Sequence, residues 1–283
     1  MTGKFSFTNK VALKVTPRIL PLTGTLTEPL SQNEVEGQHR TGLAYNGKLY
    51  ISGFYTGSAA TTQFNIFDGT SVQTLYKPFD SYGDGMALIG DYIYIKAGGR
   101  GQASGSPEFC RFNTITEEFE TLPNGNNSVR YISGSVAHNE KMYTHSGNSL
   151  YVYDPAEEQW ATISVTGANT AIENCLFSYD GNLYSSYRGA IRRFNEQTNT
   201  FTTYNQNSVS YAGAVNYGVR LNYFYVAVNS NLYVFDMDTA TWQDPIPLSV
   251  TAVPLSGLTL VNDMSQGREL EYLISTTTIY GIS

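Results

Sequence analysis

From about residue 42 onward, the apolar residues of this chain fall in short runs with a two-residue rhythm, broken by small and polar positions. LYVYD at 150–154 and LYVFD at 232–236 are two such runs. A period of two puts successive side chains on opposite faces of a strand, so the runs predict strands and the polar breaks predict turns. Two patterns recur. The first is an aromatic residue, an Asp or Asn, five residues, then a second aromatic. It appears as Phe112-Asn113…Phe119, Tyr153-Asp154…Trp160, Phe194-Asn195…Phe201 and Phe235-Asp236…Trp242. A fifth copy, Phe67-Asp68, reaches Val72-Gln73-Thr74-Leu75 through a shorter turn.

The second pattern lies upstream of each copy and starts at residues 42, 85, 134, 174, 213 and 257. It reads Gly or a small residue, an apolar run, a polar turn, and an apolar–Tyr pair. The spacing of about forty residues marks a repeat architecture. One unit resolves into four strands, here called a to d. Strand a is the Gly-led run. Asn46-Gly47, Gly90-Asp91 and Asp180-Gly181 supply the primed-turn chemistry of an a–b hairpin. Strand b carries Tyr50, Tyr94, Tyr143, Tyr184, Tyr225 or Tyr272. Strand c ends on the aromatic–Asp/Asn pair, whose side chain opens the next turn by bonding the backbone two residues on. Strand d carries the second aromatic, placed by alternation between neighbouring sheets. The acidic pairs Glu117-Glu118 and Glu157-Glu158 fall on c–d turns and read as a solvated edge.

A four-stranded sheet cannot bury both faces alone, and radial stacking of sheets achieves it. The expected fold is all-β: a six-bladed propeller of four-stranded antiparallel blades, with residues 42–283 as the propeller. The sixth unit has strands a, b and c, and no d. The alternating run KVALKV at 10–15 is expected to complete it, so that residues 1–15 close the ring. Residues 16–41 hold three prolines and form a long arm that crosses one ring face or extends outward.

Composition narrows the function. Charged residues make up 14% of the chain, against about 25% in ordinary domains. The net charge is −7 and no basic run exists, so nucleic acid, which needs several cations to neutralise phosphates, is not an expected partner. The first residues contain no apolar run of signal-peptide length, and no apolar stretch is long enough to span a membrane as a helix. The expectation is synthesis in the cytoplasm without a signal peptide. Cys110 and Cys175 read as two buried free thiols. Of the three histidines, His39 precedes blade one, His138 sits at the a–b turn of blade three, and His145 follows strand b. That separation argues against a shared metal site or a Ser-His-Asp triad, and no cofactor is expected.

Gly-led strand a, apolar–Tyr in strand b, Gly98-Gly99 after it, Tyr-Asp in strand c and Trp six positions later resemble kelch repeats. The resemblance covers nearly the whole chain and implies a kelch-like β-propeller. Kelch propellers serve as peptide-binding adaptors, as sugar enzymes such as sialic acid mutarotases, as a copper oxidase, and as parts of phage virions. In this fold the d–a and b–c connections share one face. They carry Tyr82, Asp84, Arg100, Arg130, Tyr131, Glu173, Asn174, Arg188 and Tyr211, a mixture of Tyr, Arg and adaptable polar residues suited to an interface. No catalytic residue is assigned. The leading expectation is a non-catalytic phage virion component in tail tip, baseplate or fibre. It would hold other virion proteins through the 16–41 arm or a propeller face, and would recognise a host-surface glycan or protein. The alternative is a free bacterial kelch-like protein that binds a peptide or sugar, or a mutarotase-like enzyme in which Glu173 and Arg130 handle a carboxylate sugar.

Overall fold

The computed structural model describes residues 41–52, 55–56, 59–68, 71–81, 83–98, 108–123, 126, 134–146, 148–166, 175–187, 189–206, 216–220, 222–228, 231–247, 259–262, 271–274 and 279–282. They form six antiparallel sheets. Strands a to d of blade one are Thr41–Tyr45, Lys48–Ser52, Ala59–Phe67 and Val72–Ser81, with Tyr55–Thr56 paired to the start of c. Those of blade two are Gly83–Ile89, Tyr92–Gly98, Phe109–Asn113 and Glu118–Thr121. Blade three has Ser135–His138, Lys141–Ser146, Ser149–Asp154 and Gln159–Ser164, and blade four Cys175–Tyr179, Asn182–Tyr187, Ala190–Asn195 and Thr200–Gln206. Blade five has Asn216–Arg220, Tyr223–Val228, Asn231–Asp236 and Thr241–Trp242. Its strand c pairs again with Ile246–Pro247 beyond Pro245, which has no N–H to give the ladder. In blade six Thr259–Asn262, Glu271–Ile274 and Ile279–Ile282 are described. The expected closing strand at 10–15 and the 16–41 arm, apart from Thr41, lie outside the described residues.

The a strands touch one another in ring order, one to two through five to six, and blade six meets blade one again. Blades one to five run outward in the order a-b-c-d, and the described strands of blade six in the order a-b-c. This is a propeller, and its turns follow the residue chemistry that the repeats carry. Three a–b turns hold both central residues at positive φ: Asn46-Gly47, Asn139-Glu140 and Asp180-Gly181. Gly90 alone does so in blade two. The c–d turns are copies of one another. The two aromatics of each sequence pattern face each other across the strands, as Phe112–Phe119, Tyr153–Trp160, Phe194–Phe201 and Phe235–Trp242. The intervening Asn or Asp accepts backbone N–H bonds through its Oδ1. Ile115 and Thr116 donate to Asn113, Ala156 to Asp154, Gln197 and Thr198 to Asn195, and Asp238 and Thr239 to Asp236. Four residues after each, the chain turns left-handed at Glu117, Glu158, Asn199 and Ala240.

The strand-d aromatics sit where alternation puts them, against the preceding blade. Phe119 packs on Phe64 of blade one, 5.3 Å between ring centres. Trp160 packs on Phe109 of blade two at 5.1 Å, and Trp242 joins Phe177, Tyr184 and Phe224 in the core between blades four and five. The strand-b residues Tyr50, Tyr94, Tyr143, Tyr184 and Tyr225 are all buried. A bulge in blade four shifts the register at Ile191–Arg192 and sends Tyr204 and Asn205 towards blade five. There the Tyr204 hydroxyl donates to Met237 O, and Asn205 Nδ2 donates to Ala240 O.

Glu117 is not part of a solvated edge. Lys48 of blade one reaches across to it, 2.7 Å from Nζ to Oε1, and Gln73 Nε2 donates to its other oxygen. The ammonium holds the Glu117 carboxyl below its ordinary pKa. Glu118, Glu157 and Glu158 are exposed, as the pattern suggests. Cys110 is a fully buried free thiol between blades one and two, its pKa pushed up by burial. The Cys175 side chain lies outside the described residues.

Candidate ligand-binding face

Each a strand starts, and each b strand ends, on the face formed by the d–a and b–c connections. Of the nine residues that the sequence places there, Asp84 falls within the described structure. Tyr82, Arg100, Arg130, Tyr131, Glu173, Asn174, Arg188 and Tyr211 lie outside it.

Asp84 is the second residue of strand a in blade two, and it is buried rather than displayed. Lys77, from strand d of blade one, puts Nζ 2.9 Å from Asp84 Oδ2, and both side chains have no exposed surface. Ser52, at the end of strand b in blade one, donates its hydroxyl to the same carboxylate oxygen. Lys77 also donates to Ser52 Oγ at 3.1 Å and to Ser81 Oγ at 3.2 Å. Thr41 donates to the Asp84 carbonyl. The pair therefore sits in a ring of hydroxyls that supplies the further hydrogen bonds a dry ion pair requires. Oδ1 of Asp84 is buried with no hydrogen-bond partner among the described residues.

Lys96, on strand b of blade two, is a second buried ammonium close by. Its Nζ donates to Ala97 O at 3.0 Å. Burial lowers its pKa to about 8, while the charges of Asp84 and Glu108 oppose the shift. Lys77 and Lys96 thus lie in the field of the buried Asp84 carboxylate, and Glu108 adds a second negative charge at Lys96.

Lys96 belongs to a series that the sequence reading did not pick out. The residue two after the strand-b Tyr shares its face of the sheet. In blades one to four it is Ser52, Lys96, His145 and Ser186, all buried. In blades five and six the same place holds Ala227 and Ile274. The signal was present as a polar residue where the alternation calls for an apolar one. Burial drives the His145 pKa down to about 4, so its imidazole is neutral at pH 7. Ser135 Oγ and Ser185 Oγ, near the same end of blades three and four, are buried without hydrogen-bond partners among the described residues. Arg192 is buried on strand c of blade four. His138, in contrast, ends strand a and lies at the opposite end of blade three from His145. Among the described residues no three His, Cys, Asp or Glu side chains cluster as a metal site would need.

No family model and no curated protein matches the sequence. The solved structure titled "Structure of YjhT" matches with a TM-score of 0.64, covering 90% of this chain and 95% of that one at 11% identity. Six antiparallel sheets, a ring of a strands and this likeness agree on one architecture: the chain is an all-β, kelch-like propeller.

Proposed function

We propose that the protein is a binding propeller whose ligand is a carboxylate-bearing sugar held at the face of the d–a and b–c connections. The observation that carries this reading is the buried polar layer of Ser52, Lys96, His145 and Ser186, repeated at one depth in four consecutive blades. Ligand sites are largely apolar walls with a few convergent polar groups, and a polar layer at one depth of consecutive blades fits that description. Burial disfavours the charged form of Lys96, and an anionic ligand at this face would favour it. The kelch resemblance adds weight to a sugar, since sugar mutarotases are among kelch-like propellers.

N-acetylneuraminic acid is the probe. Titration of the full chain, followed by ligand-observed NMR, should show saturation transfer to the sugar and its weakening in Lys96→Met. The same spectra report exchange between the sugar's anomers. Binding with unchanged exchange fits a binder, and accelerated exchange makes the protein a mutarotase. Absence of transfer at millimolar sugar sinks the reading. The virion role rests on composition alone: few charges and many Gly, Asn, Thr and Tyr residues. Immuno-electron microscopy of phage particles with an antibody to the propeller tests it, and unlabelled particles would remove it.

A further inference from the structure

The opposite face, built from the a–b and c–d turns, holds a cleft of about 540 Å³ between blades three and four. That lies within the roughly 300–1,000 Å³ typical of small-molecule pockets. His138 and Asn139 of blade three line one part. The a–b turn of blade four and its c–d turn at Glu196-Gln197 line another, and the buried side chains Leu183 and Phe194 add an apolar portion.

His138 is fixed in place. Its Nδ1 lies 2.8 Å from Ser178 Oγ of blade four, and Asn139 Nδ2 lies 3.2 Å from its Nε2. Tyr143 packs on the ring edge-to-face at 5.5 Å. Burial lowers the His138 pKa, against the pull of Glu196, so the imidazole is neutral at pH 7 and serves to orient the Asn139 amide. Glu196 Oε1 stands 3.7 Å from Nε2, beyond hydrogen-bonding reach, and its side chain is 62% exposed. The cleft therefore presents a solvated carboxylate beside primary amides. An amide offers a donor and an acceptor, and so does a hydroxyl. Arg193 also lines the cleft, so the formal charges of its lining cancel and select neither an anion nor a cation.

We propose that this cleft binds a neutral saccharide unit, with Glu196, Gln197 and Asn139 taking its hydroxyls. The site is separate from the connection face, so the two can fail independently. The test is saturation-transfer NMR on the full chain with methyl glucoside, methyl galactoside and N-acetylglucosamine. The expected result is transfer to at least one of them, falling at least fivefold in Glu196→Ala/Gln197→Ala. Both substituted residues are exposed, and an unchanged melting temperature confirms that the variant folds. Lys96→Met should leave this signal intact. Transfer to none of the three sugars, or transfer unaltered in the double variant, overturns the proposal. So does a preference for N-acetylneuraminic acid at this site, seen as loss of its signal in the same variant.

Discussion

Blades one and two meet differently from blades four and five, although the strand plan is the same. The first interface combines the Tyr50–Phe64–Phe112 aromatic core with a buried ion pair, a second lysine and a ring of hydroxyls. The second is carried by ring packing: Phe177 on Phe224 at 4.6 Å and Tyr204 on Phe235 at 6.3 Å through the bulge, with Trp242 packed against the same core. Dispersion and burial tolerate loss of one contact gradually. A dry ion pair does not, because removal of one partner strands the other. The propeller therefore concentrates its chemical specificity in one interface and packing in the other.

The sharpest break of this contrast is Asp84→Ala. It leaves the Lys77 ammonium buried next to Lys96, and stability should fall by about 3–5 kcal/mol in urea denaturation. The double change Asp84→Leu/Lys77→Met should recover most of that loss, since matched apolar groups can replace a buried pair. A single-variant loss under about 1 kcal/mol would mean that water reaches the pair. Trp242→Ala in the other interface should cost about 3 kcal/mol, set by lost area and the cavity left behind. Its cost should stay the same between 0.05 and 1 M salt in the same assay; a marked salt dependence would contradict an interface held by packing.

Lys96 gives a pH signature. Its folded pKa of about 8 lies below the ordinary 10.5. Between those values the unfolded chain binds the extra proton, so this group makes stability rise with pH across that window, by up to roughly 3 kcal/mol, and adds no slope below it. Cys110, raised by burial from an ordinary 9.0, acts in the opposite sense above about pH 9. The difference between wild type and Lys96→Met isolates the lysine: the wild-type denaturation midpoint should gain on that of the variant between pH 7.5 and 10. Equal differences at both would place Lys96 in contact with water. The smallest effect belongs to Lys48→Met. Its ion pair with Glu117 bridges the same two blades, but both side chains are about a third exposed, and such a pair contributes under about 1 kcal/mol. A double-mutant cycle with Glu117→Gln measures it.

The repeat made the fold legible. The aromatic–Asx…aromatic spacing encodes a cross-strand pair closed by a four-residue turn, and Asp154 or Asp236 can be read directly as the turn's acceptor. The partners of Glu117 and Asp84 were not legible, because they come from neighbouring blades. Lys48 is 69 residues from Glu117, and the Asp84 cluster reaches back 32 residues to Ser52. No local rule pairs residues across such distances. Asp84 fell in the d–a connection because the repeat pattern starts strand a at Gly85, whereas strand a begins at Gly83 and carries it inward. The polar residues after each strand-b Tyr could have been seen as breaks in the alternation, but their burial depends on the ring.

The contact of blade six with blade one has a consequence for how the molecule comes apart. A linear repeat array has two ends, and its terminal units fray first because each has a single neighbour. Here every blade that begins with a described a strand has a neighbour on both sides. Loss of any one blade exposes two interfaces at once, and there is no end from which melting can spread. Hydrogen exchange of the a strands should accordingly share one opening free energy around the circle, with no gradient along the sequence.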